Sequence, residues 1–378
     1  MMGARNISLC PDVRAPAASR RRLFAAWFES RALTRRRLPY SKAHDVCSYT
    51  AARGAMRHLC CSAEKEWGPM IVYRELETLT RDLGIGAGVL YAAGNRPEAH
   101  YRTVSITGGN GTVRTLSVPD PMLMAIQRRI LFRLLVHMPV SPQAAAYRCG
   151  VSTLSAARFH IGKPVLLCLD IRHFFDNIRY ADVKRYAFPP DIYAEPLRVL
   201  LTRLCYLRDA LPQGAPTSPA ISNLVLADFD RALTSWCAPR GIAYTRYCDD
   251  LALSGDFDPD QACEIAAALL RQHGFLLNPA KTRIRRAGTR QQVTGLIVNE
   301  RPSVPREYRR ALRQELYYCR RFGVASQMQR RGFCGKETSY LQSLLGRVNY
   351  LLQIRPDDVA AKQDRDWLLA LLHTQQTP

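Results

Sequence analysis

Tyr247-Cys248-Asp249-Asp250 is the stretch around which the chain is organised. Apolar, β-prone segments lie on both sides of it, Gly241–Tyr247 before and Leu251–Ser254 after, which predicts a hairpin with both carboxylates at its tip. Adjacent carboxylates repel each other, so one of them normally takes up a proton or has a raised pKa unless a cation lies between them. A divalent metal that prefers oxygen ligands is the natural cation here, and a solvated acidic turn is the alternative interpretation.

A third acid lies about 80 residues earlier in the chain. Pro164–Ile171 is a nearly continuous apolar run, as in a buried central strand, and Asp170 stands almost at its end. Burying a lone carboxylate is costly, so Asp170 is expected to be paired, bound to metal or placed at the open end of the strand. If this strand neighbours the hairpin, Asp170, Asp249 and Asp250 converge and can hold two Mg²⁺ ions for phosphoryl transfer.

Composition points to a polyanionic partner. The chain has 378 residues, 47% of them hydrophobic, which indicates a globular protein with two or three subdomains. Its net charge is +22 and its pI is near 9.9. Residues 1–60 hold 12 Lys and Arg against 3 Asp and Glu, and residues 301–378 hold 14 against 7. Basic ends of this kind favour nucleic acid as the partner, with an anionic membrane surface as the second choice.

Cysteine usage and hydropathy favour a cytoplasmic protein without a membrane span. The 12 cysteines contain no CxxC pair, so we expect mostly reduced, buried thiols. No apolar run approaches the roughly 20 residues of a membrane span, and the start does not resemble a secretory signal. Arg20–Arg37 is arginine-rich with interspersed apolar residues. A transit peptide and an amphipathic membrane helix are alternatives for it, and a basic helix against nucleic acid is favoured.

Periodicity predicts an α+β fold. Tyr101–Ile106 and Gly111–Val118 alternate like two strands of a hairpin, and Phe275–Ile284 and Gln291–Asn299 are predicted as further strands. Three basic helical stretches are expected after Val304. Strand, helix, hairpin, helix and strand in this order predict an α+β sheet with helices packed on one face.

Five segments, in order along the chain, resemble the motifs of the reverse transcriptases, and more narrowly those of bacterial retrons. They contain the first acid, the proline- and glycine-rich loop, the two adjacent acids and two motifs that follow, the last with a VTG signature: Leu169–Ile178, Leu211–Pro219 with Ser222-Asn223, Tyr247–Asp250, Leu277–Thr282 and Val293–Asn299. The resemblance covers about residues 75–355. Five ordered motifs are far more specific than the acidic pair alone.

The resemblance implies a right-hand polymerase, with fingers, a palm built on a ferredoxin-like sheet, and a helical thumb. The corresponding division of the chain is a basic N-terminal extension over residues 1–65, fingers and N-terminal helices over 66–163, palm over 164–300, and a basic helical thumb over 301–378. The implied activity is RNA-directed DNA polymerisation.

It also implies roles for the residues of the site. Asp170, Asp249 and Asp250 would bind two Mg²⁺ ions, with Mn²⁺ as an alternative in vitro, and deoxynucleoside triphosphates would be the substrates. Phe175 is expected as a steric gate against the ribose 2′-hydroxyl, and Gln213 with Gly214 at the nucleotide and template. Arg114 would clamp the triphosphate, and Lys281 would be a cation at the leaving pyrophosphate. A core phenylalanine, a surface arginine and an exposed lysine are the alternatives for three of them.

Retron resemblance further implies a structured non-coding RNA as partner, its branched RNA–DNA product called msDNA, and an effector protein in defence against phage. Residues expected at the RNA or primer are His160, Val293, Thr294, Gly295, Tyr317, Arg320 and Arg321. For the last three, on the basic helical tail, the alternative is a thumb that holds any duplex by its phosphates. The family's NAxxH motif aligns with Ala156–His160, where the asparagine is missing. Another bacterial reverse transcriptase, such as a group II intron-like enzyme, and an RNA-binding scaffold in which synthesis is dispensable are the alternatives.

Overall fold

The computed structural model describes residues 71–107 and 113–374. The predicted N-terminal extension over residues 1–65, including Arg20–Arg37, lies outside the described residues, as does the predicted turn at Gly108–Gly111. No helix within the described ranges is long and apolar enough to cross a membrane.

The described part of the chain that precedes the central strand contains a largely exposed β-hairpin and four α-helices. Its elements are α1 Leu76–Leu83, α2 Ala87–Asn95, β1 Tyr101–Thr107, β2 Val113–Pro119, α3 Pro121–Arg133 and α4 Thr153–Arg158. The strands β1 and β2 pair antiparallel, as their alternating sequences predict. Asp120 begins α3 by accepting a hydrogen bond from the Leu123 N–H at 2.8 Å, so the helix starts directly where the hairpin ends.

The centre of the molecule is a four-stranded antiparallel sheet. Its elements and the helices that connect them are β3 Val165–Asp170, α5 Tyr180–Tyr186, α6 Glu195–Cys205, α7 Ser218–Val225, α8 Ala227–Cys237, β4 Ala243–Tyr247, β5 Asp250–Gly255, α9 Pro259–Gln272 and β6 Arg283–Arg286. The strand order is β4-β5-β3-β6, with all pairs antiparallel. A strand, a helical crossover, a hairpin, a helix and a last strand in this order form the predicted ferredoxin-like sheet.

Both faces of this sheet are covered, so the prediction of helices on one face only is wrong. Leu167 and Leu253 point into a large hydrophobic cluster with the helices α1 to α3 and α5 to α9. Their neighbours Leu166 and Ala252 point to the opposite face, into a second cluster that includes the C-terminal helices. Because successive side chains of a strand alternate between faces, a strand buried on both sides must be apolar throughout.

The C-terminal part is helical after a short two-stranded ribbon. Its elements are β7 Gln292–Val293, β8 Leu296–Ile297, α10 Arg306–Phe322, α11 Val324–Arg330, α12 Glu337–Ile354 and α13 Val359–Thr374. The predicted strand over Phe275–Ile284 is wrong, because Pro279 opens a 3₁₀ turn and regular pairing begins only at Arg283. The three expected helical stretches contain an additional short helix, α11, separated from α10 by Gly323 with φ 85°. The boundaries assigned to fingers, palm and thumb stay predictions.

Candidate active site

The sheet brings the predicted carboxylates to one end. Asp170 at the end of β3 lies opposite Asp250 at the start of β5 in the strand register. Asp249 lies in the hairpin loop beside them, where its carbonyl oxygen accepts a hydrogen bond from the Ile171 N–H at 3.0 Å. The tip of the hairpin is therefore tied to the strand that carries the third acid.

The hairpin loop has only two residues, Cys248 and Asp249, because Tyr247 and Asp250 already pair as strand neighbours. Cys248 has a φ of 60°, in the left-handed region that side chains rarely adopt. Tight primed turns require a positive φ at their first central residue, where glycine is favoured. A strained residue thus immediately precedes the two adjacent acids.

Negative charge is concentrated at this end of the sheet. Part of the Asp250 side chain is open to solvent, yet it loses hydration to surrounding atoms. This loss, followed by repulsion from Asp249 and Asp170, raises the pKa of Asp250 to about 6. Asp170 is 5% exposed and accepts hydrogen bonds from the Lys281 ammonium at 2.8 Å and the Asn278 amide at 3.2 Å. The hydrogen bond between Lys281 and Asp170 raises the pKa of Lys281.

The donor set fits a hard divalent cation. Three carboxylates supply oxygen ligands of the kind that Mg²⁺ prefers, and their mutual repulsion is relieved by positive charge. Lys281 already places one ammonium group against Asp170. Across residues 71–107 and 113–374, no three His, Cys, Asp or Glu side chains are gathered closely enough to form a ready-made metal cluster. The role of Asp170, Asp249 and Asp250 as metal ligands therefore stays a prediction.

The loop over Leu211–Pro219 lies between the central strand region and the β1–β2 hairpin. The Leu211 N–H donates to the Phe175 carbonyl oxygen at 3.2 Å, and the Ser117 N–H donates to the Gln213 carbonyl oxygen at 2.8 Å. Gly214 has a φ of 129°, and a Cβ atom there would lie 2.7 Å from the Ser117 carbonyl oxygen. Glycine is required because the two backbones approach too closely for a side chain.

Most of the residues predicted at the nucleotide lie around this contact. Phe175 is half-buried against Phe174, with ring centroids 5.4 Å apart, and Gln213 donates to Asp176 at 3.4 Å. Arg114 is exposed on β2, the strand that contacts the loop. Lys281 lies apart from them, at Asp170.

Comparison with known proteins shows the family to which the chain belongs. Residues 105–308, more than half of the chain, match the family described as reverse transcriptase (RNA-dependent DNA polymerase). The chain belongs to the reverse transcriptase family. Its membership and the ferredoxin-like sheet confirm the predicted right-hand polymerase fold class.

Several curated relatives of this reverse transcriptase are retron proteins. It is 36% identical over 278 residues to the retron Mx65 reverse transcriptase of Myxococcus xanthus, covering 65% of this chain and 63% of that protein. It is 30% identical over 319 residues to the retron Mx162 reverse transcriptase of the same species, with 74% and 64% covered. It is 28% identical over 255 residues to the retron Ec86 reverse transcriptase of Escherichia coli, covering 67% of this chain and 75% of that protein.

The predicted resemblance to bacterial retron reverse transcriptases is confirmed by these relatives. The chain matches less than two thirds of the length of the two Myxococcus xanthus proteins.

The placement of His160 at the RNA is wrong. Its side chain is fully buried, and its two ring nitrogens hydrogen-bond the Ser254 and Thr245 hydroxyls at 2.7 Å each. His160 therefore joins β4, through Thr245, to β5, through Ser254, in the protein interior, where RNA cannot reach it. Burial, reinforced by the charge of Lys163, lowers the pKa of His160 to about 4 and keeps the ring neutral at pH 7.

We expect His160→Ala to destabilise this reverse transcriptase by about 1–3 kcal/mol, because the Ser254 and Thr245 hydroxyls lose their buried partner. In the unfolded chain a histidine has its ordinary pKa near 6.5, so the unfolded state binds the proton first as the pH falls. Wild-type stability should therefore decline from about pH 6.5 towards pH 4 more steeply than that of the variant. Thermal melts at several pH values measure this difference, and RNA affinity at 25 °C should be unchanged.

The VTG segment is divided between the core and the surface. Val293 is buried in the second hydrophobic cluster, so its predicted contact with RNA is wrong. Thr294 donates to the Thr153 carbonyl oxygen at 3.3 Å, which joins this segment to α4. Gly295 is exposed at the turn of the β7–β8 ribbon and remains available for contact.

The three residues predicted on the C-terminal helices all lie on α10 and reach the surface. Tyr317 is 58% exposed, and Arg321 is exposed beside it. Arg320 forms an ion pair with Asp364 at 2.7 Å and lies 4.6 Å above the ring of Trp367. Arg320 thus joins α10 to α13, and its guanidinium is partly committed to the protein itself.

Two contacts of the hairpin loop Cys248-Asp249 were not predicted from the sequence. The Tyr147 hydroxyl donates to the Cys248 sulfur at 3.3 Å, and the Arg246 guanidinium donates to the Cys248 carbonyl oxygen at 3.1 Å. An arginine inside an otherwise apolar strand was a signal for the second contact, since a buried charge needs partners. Tyr147 lies about 100 residues away in a loop, with no local signal.

Proposed function

We propose that this chain is an RNA-directed DNA polymerase of the retron type, which copies part of a cognate structured RNA into msDNA. The observation that carries the proposal is the pairing of Asp170 with Asp250 across the sheet, beside Asp249. Membership in the reverse transcriptase family and similarity to retron proteins support the choice of reaction and template.

The acids would hold two Mg²⁺ ions, which lower the pKa of an attacking 3′-hydroxyl and neutralise the triphosphate. Asp170 and Asp250 lie on rigid neighbouring strands, so their spacing is set by the sheet. Lys281, already within hydrogen-bonding distance of Asp170, adds a positive charge where pyrophosphate would leave. Deoxynucleoside triphosphates are the proposed substrates, as is general for the reverse transcriptase family.

The incoming nucleotide would lie between the acids and the loop that contains Gln213 and Gly214. Arg114 on β2 would clamp the triphosphate, because a guanidinium matches phosphate oxygens. The hydrogen bond from the Ser117 N–H to the Gln213 carbonyl oxygen supports this placement, since it joins the strand of Arg114 to the loop. Phe175, under the same loop, would crowd a ribose 2′-hydroxyl.

Shortening Phe175 tests the last point. We expect Phe175→Ala to accept ribonucleotides, with discrimination against them falling by about 100-fold, the selectivity that an apolar pocket reaches against an added hydroxyl. Single-nucleotide incorporation with a dNTP and the matching rNTP gives the two kcat/KM values. Phe275→Leu, a core change near Phe174, serves as a control that should leave the ratio unchanged. Equal ratios in Phe175→Ala and wild type would contradict the gate.

The RNA would be held by its shape and by stacking on the surface of α10. Tyr317 and Arg321 are exposed there, and structured RNA is read largely through 2′-hydroxyls, phosphates and unpaired bases. Gly295 on the β7–β8 ribbon would lie at the primer. The net charge of +22 supports a polyanionic partner such as RNA.

We further propose a cytoplasmic setting in which the RNA, its msDNA and an effector protein act together in defence against phage. To test the core of the proposal, the gene is expressed with a few hundred flanking bases, and the extracted nucleic acid is treated separately with RNase and DNase. A short, abundant DNA that shifts after RNase supports msDNA synthesis. Its absence, with polymerase activity present on a generic template, would indicate another class of reverse transcriptase.

A further inference from the structure

A fully buried ion pair lies against the hairpin loop Cys248-Asp249, the turn that precedes Asp250. Arg246, the residue before Tyr247, and Asp230 on α8 both have no exposed side-chain surface. The guanidinium binds the carboxylate in a two-point fork, Nε to Oδ1 at 2.8 Å and Nη2 to Oδ2 at 2.6 Å. Fork geometry of this kind fixes the orientation of the guanidinium plane.

The remaining nitrogen of Arg246 points at the turn itself. Nη1 donates at 3.1 Å both to the Cys248 carbonyl oxygen and to the Asn223 side-chain oxygen on α7. The Asn223 amide in turn donates to the Ala146 carbonyl oxygen at 2.9 Å. One guanidinium therefore connects α7, α8 and the turn that carries Asp249 and Asp250.

The backbone of Arg246 is held just as firmly. Its N–H donates to the Gln143 carbonyl oxygen at 2.8 Å, and its carbonyl oxygen accepts from the Ala145 N–H at 2.7 Å. Both the side chain and the main chain of this residue are thus fixed from outside the hairpin.

Cys248 is where this rigidity matters. A non-glycine residue with a φ of 60° persists only when its surroundings hold it in place. Its carbonyl is held by Arg246 and its sulfur by the Tyr147 hydroxyl. Rotation at Cys248 would swing the carboxylate of Asp249, the next residue, away from Asp170.

A buried ion pair is a poor source of stability, because desolvation offsets most of its attraction and apolar residues of similar volume often stabilise as well. Its geometric specificity is a different matter. The guanidinium reaches a main-chain carbonyl of the turn, which an apolar side chain could not hold. Positioning therefore accounts for the arginine better than stability does.

We infer that Arg246 is a positioning residue, which uses Asp230 and Asn223 as a buried anchor to aim Asp249 and Asp250 for metal binding. The inference rests on the proposed polymerase function. The inference goes beyond the proposed function in one respect. It assigns control over the geometry of Asp249 and Asp250 to Arg246, a buried residue that cannot touch substrate.

Arg246→Lys tests the inference. Lysine keeps the charge beside Asp230 but has no planar fork, so it cannot hold Asp230 and the Cys248 carbonyl oxygen in the same geometry. With oligo(dT) on poly(rA) and dTTP, we expect kcat to fall by about 10- to 100-fold and the half-saturating Mg²⁺ concentration to rise by about 10-fold or more, as for other residues that orient metal ligands. KM for dTTP and the affinity for RNA should stay close to the wild-type values.

Tyr244→Phe is the matched control. It removes the hydroxyl that donates to Asp230 at 2.7 Å, on the side of the network away from the turn. This change should lower the melting temperature without moving the Mg²⁺ dependence. Arg246→Lys with wild-type kcat and Mg²⁺ dependence, or with changes no larger than those of Tyr244→Phe, would overturn the inference.

A second variant covers the case in which Arg246→Lys does not fold. Asn223→Ala leaves the ion pair intact and removes one partner of Nη1. We therefore expect kcat to fall less than in Arg246→Lys, and the half-saturating Mg²⁺ concentration to rise, as it does in Arg246→Lys. Wild-type behaviour of Asn223→Ala would count against the inference. Failure of the proposed function is recognised separately, because wild-type protein would then show no Mg²⁺-dependent synthesis.

Discussion

Replacing Asp249 and Asp250 together by alanine is expected to abolish DNA synthesis, with a loss on the order of 1,000-fold or more. Metal ions supply several kcal/mol of transition-state charge stabilisation, and each 1.36 kcal/mol corresponds to about tenfold in rate. The double variant leaves only Asp170 of the three acids, and Asp170 already has Lys281 as a partner. A single paired carboxylate cannot hold two divalent ions.

Binding of RNA should persist in this variant, because the surfaces proposed for it lie on α10 and the β7–β8 ribbon. Removing two negative charges raises the net charge of a basic protein and strengthens non-specific binding. A double control, Asp256→Ala with Asp260→Ala, makes the same charge change at two exposed positions outside the site. Primer extension and filter binding on all three proteins separate the effects. DNA made by the Asp249 and Asp250 double variant at a rate similar to the control would exclude these residues as metal ligands.

Gly214→Ala is expected to lower kcat/KM for the nucleotide by about 100-fold, the loss associated with a displacement of roughly 1 Å near reacting groups. Its new Cβ atom would lie 2.7 Å from the Ser117 carbonyl oxygen, and a φ of 129° strains any residue with a side chain. Relief of the clash must move either the loop with Gln213 or the hairpin with Arg114. Both belong to the proposed nucleotide site.

A glycine elsewhere supplies the control. Gly86 precedes α2 with a φ of −65°, and a Cβ atom there meets nothing within 4 Å. Gly86→Ala should therefore leave nucleotide incorporation unchanged, while Gly214→Ala impairs it at a temperature at which both variants are folded. Steady-state incorporation with a dNTP series gives kcat and KM for both. Equal values for Gly214→Ala and wild type would show that the contact between loop and hairpin is irrelevant to the nucleotide.

Local sequence patterns predicted the elements that carry the site. The apolar run before Asp170 predicted a buried strand, and the β-prone segments around Asp249 and Asp250 predicted a hairpin tip. These predictions succeeded because strand periodicity and turn preference act over a few neighbouring residues. The pattern failed over Phe275–Ile284, where Pro279 interrupts pairing that the apolar residues suggest.

Burial of individual side chains depended on contacts between distant segments. His160 and Val293 were expected at the RNA, and both lie in the interior because β4, β5 and the C-terminal helices pack over them. A motif can indicate that a position matters, but the direction in which its side chain points depends on the rest of the fold.

Composition and short-range periodicity sufficed to predict the strands of the sheet, the three acids and the basic character of the chain. The surroundings of Tyr247-Cys248-Asp249-Asp250 depend instead on how distant segments pack. Asp230, Asn223 and Tyr147 reach the turn from elements up to about 100 residues away, and Arg246 joins two of them to it. Contacts at such separations arise from packing, because no local preference along the chain specifies which distant side chains will meet.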